Sequence, residues 1–247
     1  MSIESHADWT GLREVGRVTR LVLDALAANV RAEVTTGELD EIAAGVVAQH
    51  GARSAPALVY KFPRTVLISV NDEIVHGVPG ARRLTSGDLV KLDVTLEKDG
   101  YVADAARTVI VDRGSEIANR LARCAAEAFD AALRVATAGA RVNQIGRAVE
   151  REVQRQGFAV VHGLAGHGVG RTIHEWPDVP NHYVPWQRDV LTEGLVLTIE
   201  PMISAGSPHP VQGSDGWTIR TQDGSLSAHH EHTIVITRDA PIVLTAA

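Results

Sequence analysis

The chain passes twice through one order of elements, two amphipathic helices and then strands, and this repetition restricts its fold more than any other feature. Leu12, Val15, Val18, Val22, Leu26 and Val30 fall three and four residues apart, which predicts a helix from Thr10 to about Val30. A second helix is expected over Thr36–Gln49, with Leu39, Ile42, Val46 and Val47 on one face and Gly51 as its stop. Strands are expected at Val66–Val70, Asp88–Glu97 and Tyr101–Val111, where β-branched and alternating residues collect. The order then recurs. Helices are expected over Ser115–Val135 and Val142–Gln156, and strands near Phe158–His162, Gly194–Glu200, Trp217–Thr221 and His232–Thr237. The expectation is a pseudo-twofold α/β fold whose two half-sheets meet at a central site.

The hairpin spanning Leu92–Thr108 places two acids together. With Lys98-Asp99 at the turn, Asp93 lies directly across from Asp104; with Asp99-Gly100, Asp104 faces Thr95, which shares a face with Asp93. Either register brings the carboxylates within roughly 4.5–8 Å, and like charges there destabilise a sheet unless something neutralises them. A divalent cation is the expected neutraliser.

Three further residues join the pair. His167 sits in Ala165-Gly166-His167-Gly168-Val169-Gly170, where missing side chains let a ligand or a second strand come close. Glu200 ends the apolar run Leu195–Ile199, and Glu231 heads the strand His232–Thr237; glutamate is seldom buried without a partner. Four carboxylates and one imidazole suit Mn, Fe, Co or Zn, and no second cysteine accompanies Cys124 to build a thiolate zinc site. Charge matching favours two ions: about −4 from the acids against about +4, with a bridging hydroxide leaving about −1. His76 follows a strand in a turn and His174 stands seven residues past His167, and both are assigned to supporting a ligand or contacting substrate rather than to ligation. Alternation turns His229 to the face of Glu231, where it can support a ligand. His6, His50, His162, His182, His209 and His232 are assigned to surface or packing.

A formal net charge of −6 and the lack of a basic patch argue against nucleic-acid binding. No stretch reaches the ~18 apolar residues of a membrane span, the amino terminus lacks the features of a signal peptide, and the lone cysteine fits a reducing compartment. A cytoplasmic protein without nucleic-acid or membrane partners is expected.

Five segments in order resemble the type I methionine aminopeptidases of the pita-bread metallopeptidase fold. They are Ser69–Pro79; Asp93 with Asp104; Gly166–Arg171 through His174-Glu175; Thr198–Met202; and Ser227–Thr233. The resemblance implies an antiparallel pseudo-twofold sheet with helices on one face and a central dinuclear site, in one catalytic domain over 1–247 with halves at about 10–112 and 113–240. It implies that Asp93, Asp104, His167, Glu200 and Glu231 ligate two divalent ions (Co, Mn, Fe or Zn), with Asp104 and Glu231 bridging. Catalytic roles fall to His76, His174 and Glu200, and a methionine pocket to Phe62, Leu67, Ile173 and Trp217, with Tyr60 nearby. The implied reaction removes an amino-terminal methionine before a small second residue through a metal-bridging hydroxide. Peptides and nascent chains are the implied substrates, with transient ribosome association and a monomeric state. Val75, Ile173, His229 and His230 depart from the usual Cys, aromatic, Gln and aromatic of such enzymes. A proline-directed relative and a non-catalytic binding protein on the same fold are the competing readings.

Overall fold

The structure, a computed structural model, describes residues 1–246. Its helices form where the periodicity places them, at His6–Asn29, Thr36–Gln49, Glu116–Leu133 and Val142–Arg155, with a short Ala55–Tyr60 helix in addition. Side chains set the starts. The Ser5 hydroxyl accepts from the Asp8 amide, Ser115 does the same for Ala118, and Thr35 and Glu38 bond each other's backbone in a reciprocal cap.

Nine strands form the central sheet. Its main path runs Arg53–Ser54, Leu89–Lys98, Tyr101–Ile110, Glu231–Val235, Val196–Ile199, Ala165–Gly168 and Glu175–Pro180. Leu67–Val70 also pairs with Leu89–Lys98, and Ile242–Val243 with Glu231–Val235; the pairings are antiparallel. Strands of the two halves meet where Glu231 pairs with Ala106 and His232 with Ala105.

Period-two alternation divides the sheet into an apolar face and a polar one. Leu92, Val94 and Leu96 join Leu12, Val15, Val18 and Val22 of the first helix in one core, while Asp93 and Thr95 point the other way. Leu197, Ile199, Ile234 and Ile236 join Leu121, Ala125 and Ala128 in a second core, leaving Thr198, Thr233 and Glu231 on the opposite face. Each buried Leu, Ile or Val contributes about 1.5–3 kcal/mol, so this packing fixes which face carries the acids. A one-residue slip would bury Asp93 against the helix.

The hairpin adopts the second of its two registers. Asp99 and Gly100 take φ of 52° and 82°, the left-handed pair that a tight hairpin turn requires, and Thr95 pairs with Asp104 while Asp93 pairs with Ala106. Direct opposition of the two aspartates does not occur. Two other expectations need correction. The strand placed at Trp217 begins at Ile219, because the Asp215 carboxylate takes the Trp217 and Thr218 amides and makes a turn there. Glu175–Pro180, absent from the expected strands, is a strand: it closes one end of the main path, where its prolines need not serve a second neighbour.

Candidate metal centre and substrate cavity

Three adjacent strands set the floor of the site. Asp93, Ala106 and Glu231 lie in one cross-strand row, so a single methyl group separates two carboxylates, and Asp104 stands two residues along from Ala106 on the same face. Asp104 is held from several sides. Its Oδ1 accepts from Thr95 Oγ1 at 2.9 Å, its amide donates to Thr233 Oγ1 at 2.9 Å, and that hydroxyl donates to the Asp104 carbonyl at 2.8 Å.

His167 and Glu200 come from the neighbouring strands and share one hydroxyl. Thr198 Oγ1 accepts from the His167 amide at 3.0 Å and donates to Glu200 Oε1 at 2.8 Å. His167 Nδ1 lies 2.9 Å from the Gly168 carbonyl, so that nitrogen carries the proton and Nε2 is free, 3.5 Å from Glu200 Oε1. The glycines around His167 have a steric cause. A Cβ at Gly166 would stand 2.6 Å from the Thr198 carbonyl oxygen, and one at Gly168 would stand 2.3 Å from that of Trp176.

The electrostatics are those of a site built for cations. Burial raises the carboxyls of Asp93, Glu200 and Glu231 well above the usual range, and their mutual repulsion adds to it; burial pushes Asp104 up to about 6. Burial lowers His167 to about 4, leaving a neutral ring with a lone pair to offer. Glu231 Oε1 is buried without a hydrogen-bond partner. Such an orphaned carboxylate oxygen costs free energy unless a cation takes it up. Asp104, His167 and Glu231 each offer a donor atom within 4.8 Å of one another, and so do Glu200, His229 and Glu231. This mixed oxygen and nitrogen set fits divalent metal ions.

Every residue expected at the site lines one cavity of about 550 Å³. Beside the five acids and imidazole donors stand His76, His174, Tyr60, Phe62, Leu67, Ile173 and Trp217. Phe62 and Trp217 meet edge to face, ring centroids 5.2 Å apart. His76 has φ of 60°, a left-handed conformation unusual for a residue with a side chain, and its ring is reached by solvent from the cavity. Burial lowers its pKa, and the neighbouring His174 lowers it further. His174 stands over His167 with centroids 4.2 Å apart, and its Nδ1 is 2.6 Å from the Tyr60 hydroxyl. If Tyr60 donates there, His174 presents Nε2–H toward the cavity.

The sequence reading missed that Tyr60 contact, the place of Asp178 on the cavity wall, and the role of Lys91. Lys91 is buried and donates to the carbonyls of Asn71 at 2.7 Å and Ser227 at 3.2 Å, with burial pushing it down to about 7. It ties the turn ahead of His76 to the strand that delivers His229. Its sequence signal was a lysine amid the apolar alternation of Leu89–Leu92.

Comparison with known proteins agrees with this geometry. Residues 10–238 match the model of metallopeptidase family M24. The chain is 41% identical over 247 residues to methionine aminopeptidase 2 of Bacillus subtilis, covering 99% of both chains. It is 38% identical to methionine aminopeptidase of Escherichia coli, covering 99% of this chain and 94% of that one. The crystal structure of methionine aminopeptidase from Thermotoga maritima superposes with a TM-score of 0.96 at 31% identity, over the full length of both.

Proposed function

The chain belongs to metallopeptidase family M24, and on that premise we propose that it removes the amino-terminal methionine of peptides and nascent chains, preferably before a small second residue, with divalent metal. The observation that carries this reading is one cavity with four carboxylates and an imidazole on its floor and apolar side chains on its wall. Near-full-length relatives named methionine aminopeptidase support it.

Asp93, Asp104, His167, Glu200 and Glu231 would hold the metal in this reading, with Asp104 and Glu231 as the acids placed to serve both ions. Two ions match the charge of four carboxylates, where one would leave excess negative charge in a buried site. Metal bound there would supply a water of lowered pKa as nucleophile at neutral pH and a Lewis acid for the scissile carbonyl. The protein supplies the rest. Glu200, oriented by Thr198, takes a proton from the attacking water and returns it to the leaving nitrogen. His174, set by Tyr60, and His76 donate to the developing oxyanion and the departing amide. The substrate's free α-amine, which an internal peptide bond lacks, would bind beside the metal and the acids of the floor, which restricts the enzyme to chain ends.

The test is turnover of Met-Ala peptides against Xaa-Pro peptides, with metal analysis. Metal-dependent release of methionine from the former is expected, lost on chelation and lost in Asp104→Asn. An Asp104→Asn variant with both ions and full activity would refute the bridging role, and turnover of Xaa-Pro peptides alone would replace the reading with a proline-directed one. The wall is tested separately. Trp217→Ala removes one face of the methionine contact and is expected to raise KM about tenfold with a smaller change in kcat, as about 1.5 kcal/mol of apolar burial implies. Equal KM for the variant would remove Trp217 from the pocket.

A further inference from the structure

We propose that His229 is a metal ligand, a second imidazole at the centre beside His167. The proposal rests on the metal-peptidase reading above and adds a donor to it.

The geometry comes first. His229 Nε2 lies 3.5 Å from Glu231 Oε2 and 4.0 Å from Glu200 Oε2. Donors about 2.1 Å from one tetrahedral ion stand about 3.4 Å apart, and wider angles carry that separation toward 4 Å. The three atoms are therefore spaced as ligands of a common ion rather than as hydrogen-bonded partners. His167 Nε2 bears the same relation to Glu200, at 3.5 Å.

The second observation is independent of the spacing. His229 is 1% exposed, and neither ring nitrogen has a hydrogen-bond partner among the described residues. A buried imidazole with both nitrogens unsatisfied is costly, and such groups are rare in folded proteins. The main chain that carries the ring is also fixed. The His229 amide donates to Thr108 Oγ1 at 2.9 Å, Thr108 Oγ1 donates back to the His229 carbonyl at 2.7 Å, and the residue pairs with Met202 on its other edge. The backbone is clamped on both sides, and the side chain is aimed at two carboxylates.

The two donor triads share only Glu231. Asp104, His167 and Glu231 make one set, and Glu200, His229 and Glu231 the other. A second imidazole replaces water in the coordination of its ion without adding charge.

Cobalt reports the ligands directly. The full-length protein loaded with two equivalents of Co(II) is examined by proton NMR in H2O and D2O, where each coordinated imidazole gives one strongly shifted, exchangeable ring N–H signal. Two such signals are expected, one lost in His229→Gln and the other in His167→Gln. Calorimetry is expected to show cobalt binding weakened about tenfold or more in His229→Gln, given that removing even an indirect support of a ligand costs 10–100-fold. A circular dichroism melt confirms that each variant folds, and His229→Ala repeats the count if the glutamine variant does not. A single signal in the wild type, kept in His229→Gln and lost in His167→Gln, overturns the proposal and leaves the metal-peptidase reading standing. No shifted signal at all, with no Met-Ala turnover, overturns that reading instead.

Discussion

Glu231→Gln lowers kcat/KM on Met-Ala peptides by about 10³-fold or more, roughly 4 kcal/mol of transition-state stabilisation, and leaves the protein short of its full metal content. The size follows from position. Glu231 belongs to both donor triads, sits across Ala106 from Asp93, and carries the orphaned Oε1. An amide keeps the shape but removes the negative charge that the residue offers to bound metal. The same substitution has a second, opposite consequence. Without metal, Glu231 is one of four carboxyls forced together in a buried site, so metal-free Glu231→Gln should melt higher than the metal-free wild type. Calorimetry of both proteins with and without chelator, alongside the kinetics, checks the pair of effects. A variant with full activity and two ions would remove Glu231 from the centre, and a metal-free variant that melts lower would remove the charge argument.

Relative to metal-loaded protein, chelated wild-type protein loses stability as pH rises from about 4 to above 6. Asp104 binds its proton more tightly folded, with a pKa near 6, than at its ordinary 3.8, and Asp93, Glu200 and Glu231 are raised as well. A group of this kind favours the folded state fully below its unfolded pKa, and that contribution is lost as pH climbs through the folded value. For Asp104 alone the shift corresponds to about 3 kcal/mol at 1.36 kcal/mol per unit, or roughly 10 °C in Tm for a chain of this length. The three other acids extend the loss to higher pH. Bound cations cancel the repulsion and flatten the curve. Melting curves at pH 4.5 and 7.5, with chelator and with Mn(II), measure this; a chelated protein whose deficit against the loaded one does not grow at the higher pH would contradict it.

The helices and the acidic hairpin were legible because their signals are local. A three-to-four spacing defines a helical face, and alternation around Asp93 and Asp104 assigns both acids to one side of a sheet. The hairpin left its register open because both turns are compatible with the residues. Only the left-handed backbone at Asp99 and Gly100 decides between them. The five proposed metal donors could be listed from strand ends, glycines and the family resemblance. Their separations could not, since those depend on pairings such as Glu231 with Ala106, between residues over a hundred apart in sequence. Glu175–Pro180 escaped notice because Pro177 and Pro180 ordinarily argue against a strand, and an edge position relaxes that rule. Tyr60 and His174 are likewise joined only by the fold. Alternation correctly turned His229 toward Glu231, but it gave no hint that Glu200 would stand on its other side.

The close approach of backbones at Gly166 and Gly168 bears on how such a site can change over time. The cavity floor rests on contacts between main chains, where even a methyl group would collide with a carbonyl oxygen. Its wall is assembled from the side chains of Tyr60, Phe62, Ile173 and Trp217, carried by a short helix, its end, and loops outside the sheet. Mutation can therefore resize the wall one residue at a time, while a change in the floor has to move two strands at once. Lineages built on this chain have room to explore new amino-terminal residues and almost none to explore new chemistry.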